Sequence, residues 1–111
     1  MYLISVRFDT VWAFIDGYDM ARGGEPLRGF RQWLCLARQD FTNAPWFVLI
    51  RERVYSGHTD YSWTPSDDEH GPLIAETLRR LQEFKAARDA AGIDKILDDY
   101  ASWEKRVSPG H

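Results

Sequence analysis

The residues best suited to chemistry lie in one segment of this 111-residue chain, between Tyr55 and His70. The segment combines histidines, carboxylates and large aromatic side chains: His58, His70, Asp60, Asp67, Asp68, Glu69, Tyr55, Tyr61 and Trp63. Histidine and carboxylate together bind zinc or manganese, and histidine acts as a general base when a partner group lies beside it. Three uses therefore come into question, namely a metal site, acid–base catalysis and the binding of another protein.

The spacing of these residues disfavours the first two uses. The candidate metal ligands match no known metal-binding signature: His58, Asp60, Asp67, Asp68 and His70. Neither histidine has an evident Ser, Cys or Lys partner beside it. We therefore predict no catalytic residue, no metal and no cofactor. A small enzyme that uses His58 or His70 with a neighbouring carboxylate is kept as an alternative.

Protein binding fits the segment better. Loops longer than about 12 to 15 residues are uncommon in compact domains and are often functional, and Tyr and Trp serve as anchors at interfaces. The predicted partner-binding residues are Tyr55, His58, Asp60, Tyr61, Trp63, Asp67, Asp68 and Glu69. A second interpretation, compatible with the first, is that Tyr55 and Trp63 fold back and seal the core.

The elements that must position this segment are predicted to be helices. Apolar residues recur at spacings of three and four in two stretches: Ile4, Phe8, Val11, Ile15 and Tyr18, then Leu27, Phe30, Leu34 and Ala37. Ser5 or Asp9 is the expected cap of the first helix, which ends at Gly23-Gly24, and the second is expected to open at Pro26.

The third element is ambiguous, because the apolar run 46–50 suits a buried strand or a buried helix. The polar residues 51–53 break any alternation, so a helix beginning near Pro45 is favoured. Ser66 and Glu69 then fit a capping box before a long helix that ends at Ala91-Gly92. The predicted buried stripes of the last two helices are Ile74, Leu78, Leu81 and Phe84, then Ile93, Ile96, Tyr100, Trp103 and Val107.

The expected architecture is mainly α, a compact bundle of about five helices with a long loop near residues 55–70. Residues 1–107 form its single domain, and 108–111 a frayed tail. Basic residues in the long helix alternate with acids, as on a solvated face: Arg79, Arg80, Lys85 and Arg88 with Glu76, Glu83 and Asp89.

Composition limits the partners. The chain has 17 acidic and 14 basic side chains, a formal charge of −3, which argues against general affinity for nucleic acid or anionic lipid. Cys35 is the only cysteine, so no intrachain disulfide forms, and its apolar neighbours predict a buried, inert thiol. No basic leader and no run of about 18 apolar residues is present, so we expect a cytoplasmic protein without a membrane segment.

Several short segments resemble a group of small bacterial proteins. They are Met1-Tyr2-Leu3, Ala13-Phe14-Ile15-Asp16-Gly17-Tyr18, Phe30-x-x-Trp33-Leu34, Trp46 with Leu49-Ile50, and Leu81-Gln82-Glu83-Phe84. The chain is similar in these places to the immunity proteins of polymorphic toxin and contact-dependent inhibition systems. The match covers about half of the chain, mostly at core-type positions. Two departures are Ile4, where the group has glycine, and the region 55–71, which is longer and more aromatic.

The resemblance implies a cytosolic antidote that binds a cognate toxin and occludes its active site, without catalytic residues of its own. The residues add a suggestion about that toxin. An acidic rim around aromatic anchors would complement a basic cleft such as that of a nuclease. A non-catalytic scaffold or regulatory domain, which self-associates through its Trp-rich helices, stays open as a further alternative.

Overall fold

The computed structural model describes residues 7–39, 42, 44–55 and 65–107, and the regular structure in these residues consists of five α-helices. The helices are α1 (Phe8–Ala21), α2 (Phe30–Arg38), α3 (Trp46–Val54), α4 (His70–Ala91) and α5 (Ile93–Val107). The predicted helical bundle is confirmed, and α3 is a helix and not a strand. Within the described residues, no helix has the length and apolar character needed to cross a membrane. The predicted tail 108–111 lies outside them.

The centre of the bundle is aromatic. Phe30 is fully buried, and its ring lies 5.3 Å from that of Phe84 and 5.7 Å from that of Trp46, measured between centroids. Tilted aromatic pairs at such distances add to the stability gained by burial. The neighbouring Cys35 is also fully buried, as predicted. Most of the described Trp and Phe residues thus form the core rather than a binding surface.

The N-terminus of α1 is held by α4 and not by a local cap. Arg7 occupies the N-cap position and makes no side-chain capping bond, so the prediction of Ser5 or Asp9 as the cap is wrong. Instead the Phe8 backbone N–H donates to Nδ1 of His70 at 2.9 Å. Tertiary structure supplies the missing acceptor, which no local sequence pattern reports.

The start of α2 also differs from the prediction. Residues 26–29 form a turn, and the helix begins at Phe30 instead of Pro26. Gly29 causes the difference, because its φ of 85° is left-handed. A Cβ at this position would lie 2.5 Å from Cδ1 of Ile93, so glycine also permits the close approach of α5.

The buried face of α4 is rotated relative to the predicted stripe. The buried side chains are His70, Leu73, Thr77, Arg80 and Phe84, whereas Leu78 is 50% exposed. Three of these five residues are polar, and each has a hydrogen bond that offsets its desolvation. Thr77 Oγ1 donates to the Leu73 carbonyl at 2.8 Å, and Arg80 Nε to Glu76 at 2.7 Å. Of the predicted stripe, Phe84 is buried and Ile74 and Leu81 pack against the core, so the prediction is wrong at Leu78 and misses the buried polar residues.

Candidate protein-binding site

Four of the eight predicted binding residues are described, and they lie together at the N-terminal end of α4. The Tyr55 hydroxyl, just after α3, donates to the Glu69 carbonyl at 3.4 Å. Asp67 and Asp68 are exposed, while Tyr55 and Glu69 are half-buried. Burial, followed by the charges of Glu69 and Asp68, raises the pKa of Tyr55. The other four predicted residues lie outside the described part of the chain: His58, Asp60, Tyr61 and Trp63.

We call residues 66–69 the acidic turn. The Ser66 N–H donates to Glu69 Oε1 at 2.7 Å, which is one half of the predicted capping box. The Ser66 hydroxyl does not cap α4; it lies 2.7 Å from Asp68 Oδ1, and this hydrogen bond lowers the pKa of Asp68. Glu69 takes the N-cap position and α4 starts at His70, so Ser66 orders the turn and presents its carboxylates.

His70 occupies a structural position. Its side chain is buried, and Nδ1 accepts the Phe8 N–H. Nδ1 is therefore unprotonated and Nε2 carries the proton in the neutral ring. Nε2 has no hydrogen-bond partner among the described residues. Within those residues, no group of three or more His, Cys, Asp or Glu side chains is placed to hold a metal ion.

A second surface, which the sequence did not predict, lies between α1 and α4. Phe14 and Tyr18 follow each other at i,i+4 on α1 and are 75% and 49% exposed. Together with residues of α4 and the α1–α2 connection they line an open apolar cavity of about 250 Å³. Its apolar lining includes Phe14, Ile15, Tyr18, Leu27, Leu81 and Phe84. We call this cavity and the basic end described next the α1–α4 groove.

The basic end of the groove is a second cavity of about 580 Å³ that shares Tyr18, Pro26 and Arg88 with the first. Its charged lining consists of Arg22, Arg28, Arg88 and Glu25. Arg22 lies over the Tyr18 ring, 5.0 Å from its centroid, in cation–π geometry. Apolar and basic surfaces are therefore continuous.

One sequence signal would have indicated the groove. Large apolar residues in α1 occupy positions 8, 11, 12, 14, 15, 18 and 20, a wider arc than one buried stripe needs. Ile15 faces the core, so Phe14 and Tyr18 are left at its edge. The excess width predicts a second apolar contact for α1.

The basic residues of α4 divide into exposed and buried members. Arg79 and Lys85 are exposed and pair along the helix with Glu76 and Asp89, as predicted for a solvated face. Arg80 is instead buried and contacts Glu76 at 2.7 Å.

Glu76 links α3 to α4, since Arg53 Nε lies 2.9 Å from its Oε2. Burial alone would raise the pKa of Glu76. The hydrogen bonds and charges of Arg80 and Arg79 outweigh burial and place it below its ordinary value. The ion pairs of Glu76 with Arg53, Arg79 and Arg80 therefore connect α3 to α4, and the charges of this cluster are paired with one another.

A functional proposal for this chain depends on its own surfaces, because comparison with protein-family models, curated proteins and solved structures finds no match. Two surfaces stand out among the described residues. The acidic turn and the basic end of the groove lie near opposite ends of α4. Residue 69 and Arg88, which lines the basic end, are separated by about 28 Å along a helix that rises about 1.5 Å per residue.

Proposed function

We propose that this chain is an immunity protein, which neutralises a bacterial toxin by stoichiometric binding and occlusion of its active site. The observation that carries the proposal is the exposure of large apolar side chains on neighbouring helices. Phe14, Tyr18 and Met20 of α1 are 75%, 49% and 79% exposed, and Leu78 of α4 is 50% exposed. Single exposed hydrophobic residues are ordinary, but an aromatic pair beside an apolar cavity is typical of interaction sites.

The acidic turn supports the same proposal from the electrostatic side. Asp67 and Asp68 are exposed beside the half-buried Tyr55, an arrangement suited to a basic cleft on the partner. Complementary potential speeds encounter and fixes the register of a complex. The contribution of His58, Asp60, Tyr61 and Trp63 to this contact stays a prediction.

The geometry of His70 disfavours the alternative of a small enzyme that uses this residue. Its Nδ1 is engaged by the Phe8 N–H, and the side chain is only 4% exposed. A proton transfer through Nδ1 would have to release the first turn of α1. A catalytic role for His58 stays untested, because His58 lies outside the described residues.

Co-expression with the product of the gene immediately upstream tests the proposal. We expect that product to arrest growth alone, and the chain to restore growth and to co-purify with it in a one-to-one complex. The double variant Lys105→Glu/Arg106→Glu, on the exposed end of α5, serves as a control and should behave as the parent. Continued growth arrest with two separately eluting proteins would refute the proposal. Self-association in place of the complex would support the scaffold alternative.

A further inference from the structure

We propose that the α1–α4 groove binds an acidic segment of the partner protein that carries one aromatic or large aliphatic anchor side chain. This inference rests on the proposed function in one respect, namely that the segment belongs to the neutralised toxin. The volume and apolar lining of the groove indicate the anchor side chain, and its positive charge indicates acidic flanking residues. Hydrogen bonds between its walls hold it in shape.

The apolar cavity has the size and lining of an anchor pocket. Its volume is about 250 Å³, whereas a cavity of about 150 Å³ in a protein core is enough to hold benzene. The buried ring of Phe84 and the half-buried Leu81 line it, and the exposed rings of Phe14 and Tyr18 stand at its edge. Interface hot spots are apolar or aromatic anchors inserted into such pockets.

The charge beside the pocket selects acidic flanking residues. Arg22, Arg28 and Arg88 face a single acid, Glu25, in the adjoining cavity. The fourth cation of the groove, Lys85, is already paired with Asp89 at 3.0 Å. This local excess of positive charge contrasts with the −3 of the whole chain. Guanidinium groups are well suited to carboxylates, which they bind through paired N–H donors.

Arg88 is positioned to serve both parts of the groove. Its guanidinium carbon lies 5.3 Å from the centroid of the Phe84 ring, and Nη1 donates to the Pro26 carbonyl at 3.0 Å. Because a guanidinium carries five N–H donors, further donors are available to a ligand carboxylate. A carboxylate one or two residues from the anchor would reach this group.

Hydrogen bonds hold the walls of the groove in place. The connection between α1 and α2 is tied to α1 by the Leu27 N–H, which donates to Asp19 Oδ1 at 2.8 Å. The bond from Arg88 to the Pro26 carbonyl ties the same connection to α4. A surface that is ordered before binding loses less conformational entropy when a ligand arrives.

The test selects peptides from a displayed random library on the immobilised 111-residue chain. Fluorescence anisotropy then measures the affinity of the labelled selected peptides. We expect peptides in which Asp or Glu flank a Phe, Trp or Leu. Arg22→Glu/Arg28→Glu should weaken their binding by at least about ten-fold, because a fully engaged charge pair is worth more than about 1.4 kcal/mol. Phe14→Ser should weaken it as well.

The matched control is Lys105→Glu/Arg106→Glu, which makes the same change in net charge on exposed residues of α5. Arg106 lies about 20 Å along the helix from Ile93, which lines the groove, so this control should retain the parental affinity. Circular dichroism melts of all variants identify any loss of affinity that follows from unfolding.

Three outcomes would overturn the inference: no enrichment of any peptide, enrichment of basic or purely apolar peptides, or equal binding to the parent and both groove variants. A dimer that forms with rising concentration and is abolished by Phe14→Ser would assign the groove to a second copy of the chain instead. The proposed function fails separately. If acidic peptides bind the groove but the chain does not neutralise the toxin, the proposed function is wrong and the inference about the groove stands. If the chain neutralises the toxin and the groove variants do so equally well, the proposed function stands and the groove is not the binding site.

Discussion

Single polar side chains connect the helices of this bundle over long sequence distances. His70 accepts the Phe8 N–H across 62 residues, and the Trp46 indole N–H donates to Asp16 Oδ1 at 2.8 Å across 30 residues. Each of these bonds satisfies a polar group in a mostly apolar environment.

Replacement of His70 tests the long-range cap of α1. His70→Ala removes the acceptor of the Phe8 N–H and leaves a cavity, so we expect a loss of about 2 kcal/mol in the free energy of unfolding. His70→Asn is the matched control, because Asn Oδ1 can take the place of Nδ1, and it should recover part of the loss. Urea denaturation measures both. Equal losses in the two variants would show that the hydrogen bond is unimportant.

Glu76 should make stability depend on pH. Because its pKa is lowered in the folded state, the contribution is complete above the ordinary glutamate pKa and is lost as pH falls through the lower folded value. Glu76→Gln should cost roughly 2 kcal/mol at neutral pH, since it removes one of the two carboxylates that pair with the buried Arg80, the other being Glu83.

The measurement is urea denaturation of parent and variant from pH 7 down to pH 3. The difference in unfolding free energy between them should shrink as the pH falls. Asp99→Asn, which removes an exposed pair with Lys95, is the control and should cost less than about 0.5 kcal/mol throughout. A difference between Glu76→Gln and the parent that is independent of pH would contradict the electrostatic origin of the effect.

At the scale of the helices, sequence reasoning succeeded where a local signal exists. Glycines at 23, 24 and 92 end helices in left-handed or otherwise positive-φ conformations, and the polar residues after Ile50 distinguished a helix from a strand. It failed at Gly29, whose left-handed φ delays the start of α2 and whose missing Cβ admits Ile93 of α5. It also failed at Thr77 and Arg80, which are buried because hydrogen bonds within α4 satisfy them.

The corrected face of α4 predicts the result of two leucine substitutions. Leu73 is fully buried and Leu78 is half exposed. Leu73→Ala should therefore cost roughly 2 to 5 kcal/mol through a core cavity, and Leu78→Ala less than about 1 kcal/mol. Thermal unfolding of the two variants provides the comparison. A larger loss for Leu78→Ala than for Leu73→Ala would show that Leu78 belongs to the buried face of α4, as the sequence predicted.

Substitutions at two glycines measure separately the cost of a positive φ and the cost of a close side-chain contact. Gly24 and Gly29 both have positive φ, but a Cβ at Gly24 would meet nothing within 4 Å. Gly24→Ala should cost about 1 kcal/mol through φ alone. Gly29→Ala should cost roughly 1 kcal/mol more, because Ile93 must move its Cδ1 away. Equal unfolding free energies for the two variants would show that the contact with α5 is loose.

At the scale of the molecule, the described residues place opposite charges near the two ends of α4. The acidic turn lies at one end and the basic end of the groove at the other. The sequence indicated the acidic turn, because its residues are contiguous and Tyr55 lies nearby in the chain. For the groove, the wide apolar arc of α1 indicates a second apolar contact, but the other walls come from α4 and the connection between α1 and α2, which the sequence could not bring together. The packing of α1 against α4 brings the exposed rings of Phe14 and Tyr18 together with Arg88, and Arg22 lies beside them.

Titration calorimetry of the purified chain with the upstream gene product tests the proposed stoichiometric toxin binding most directly. We expect one binding site per chain, with a dissociation constant of roughly nanomolar order. We also expect weaker binding by Arg22→Glu/Arg28→Glu, and unchanged binding by Lys105→Glu/Arg106→Glu. An absence of binding heat at several temperatures, with both proteins folded, would contradict the proposal.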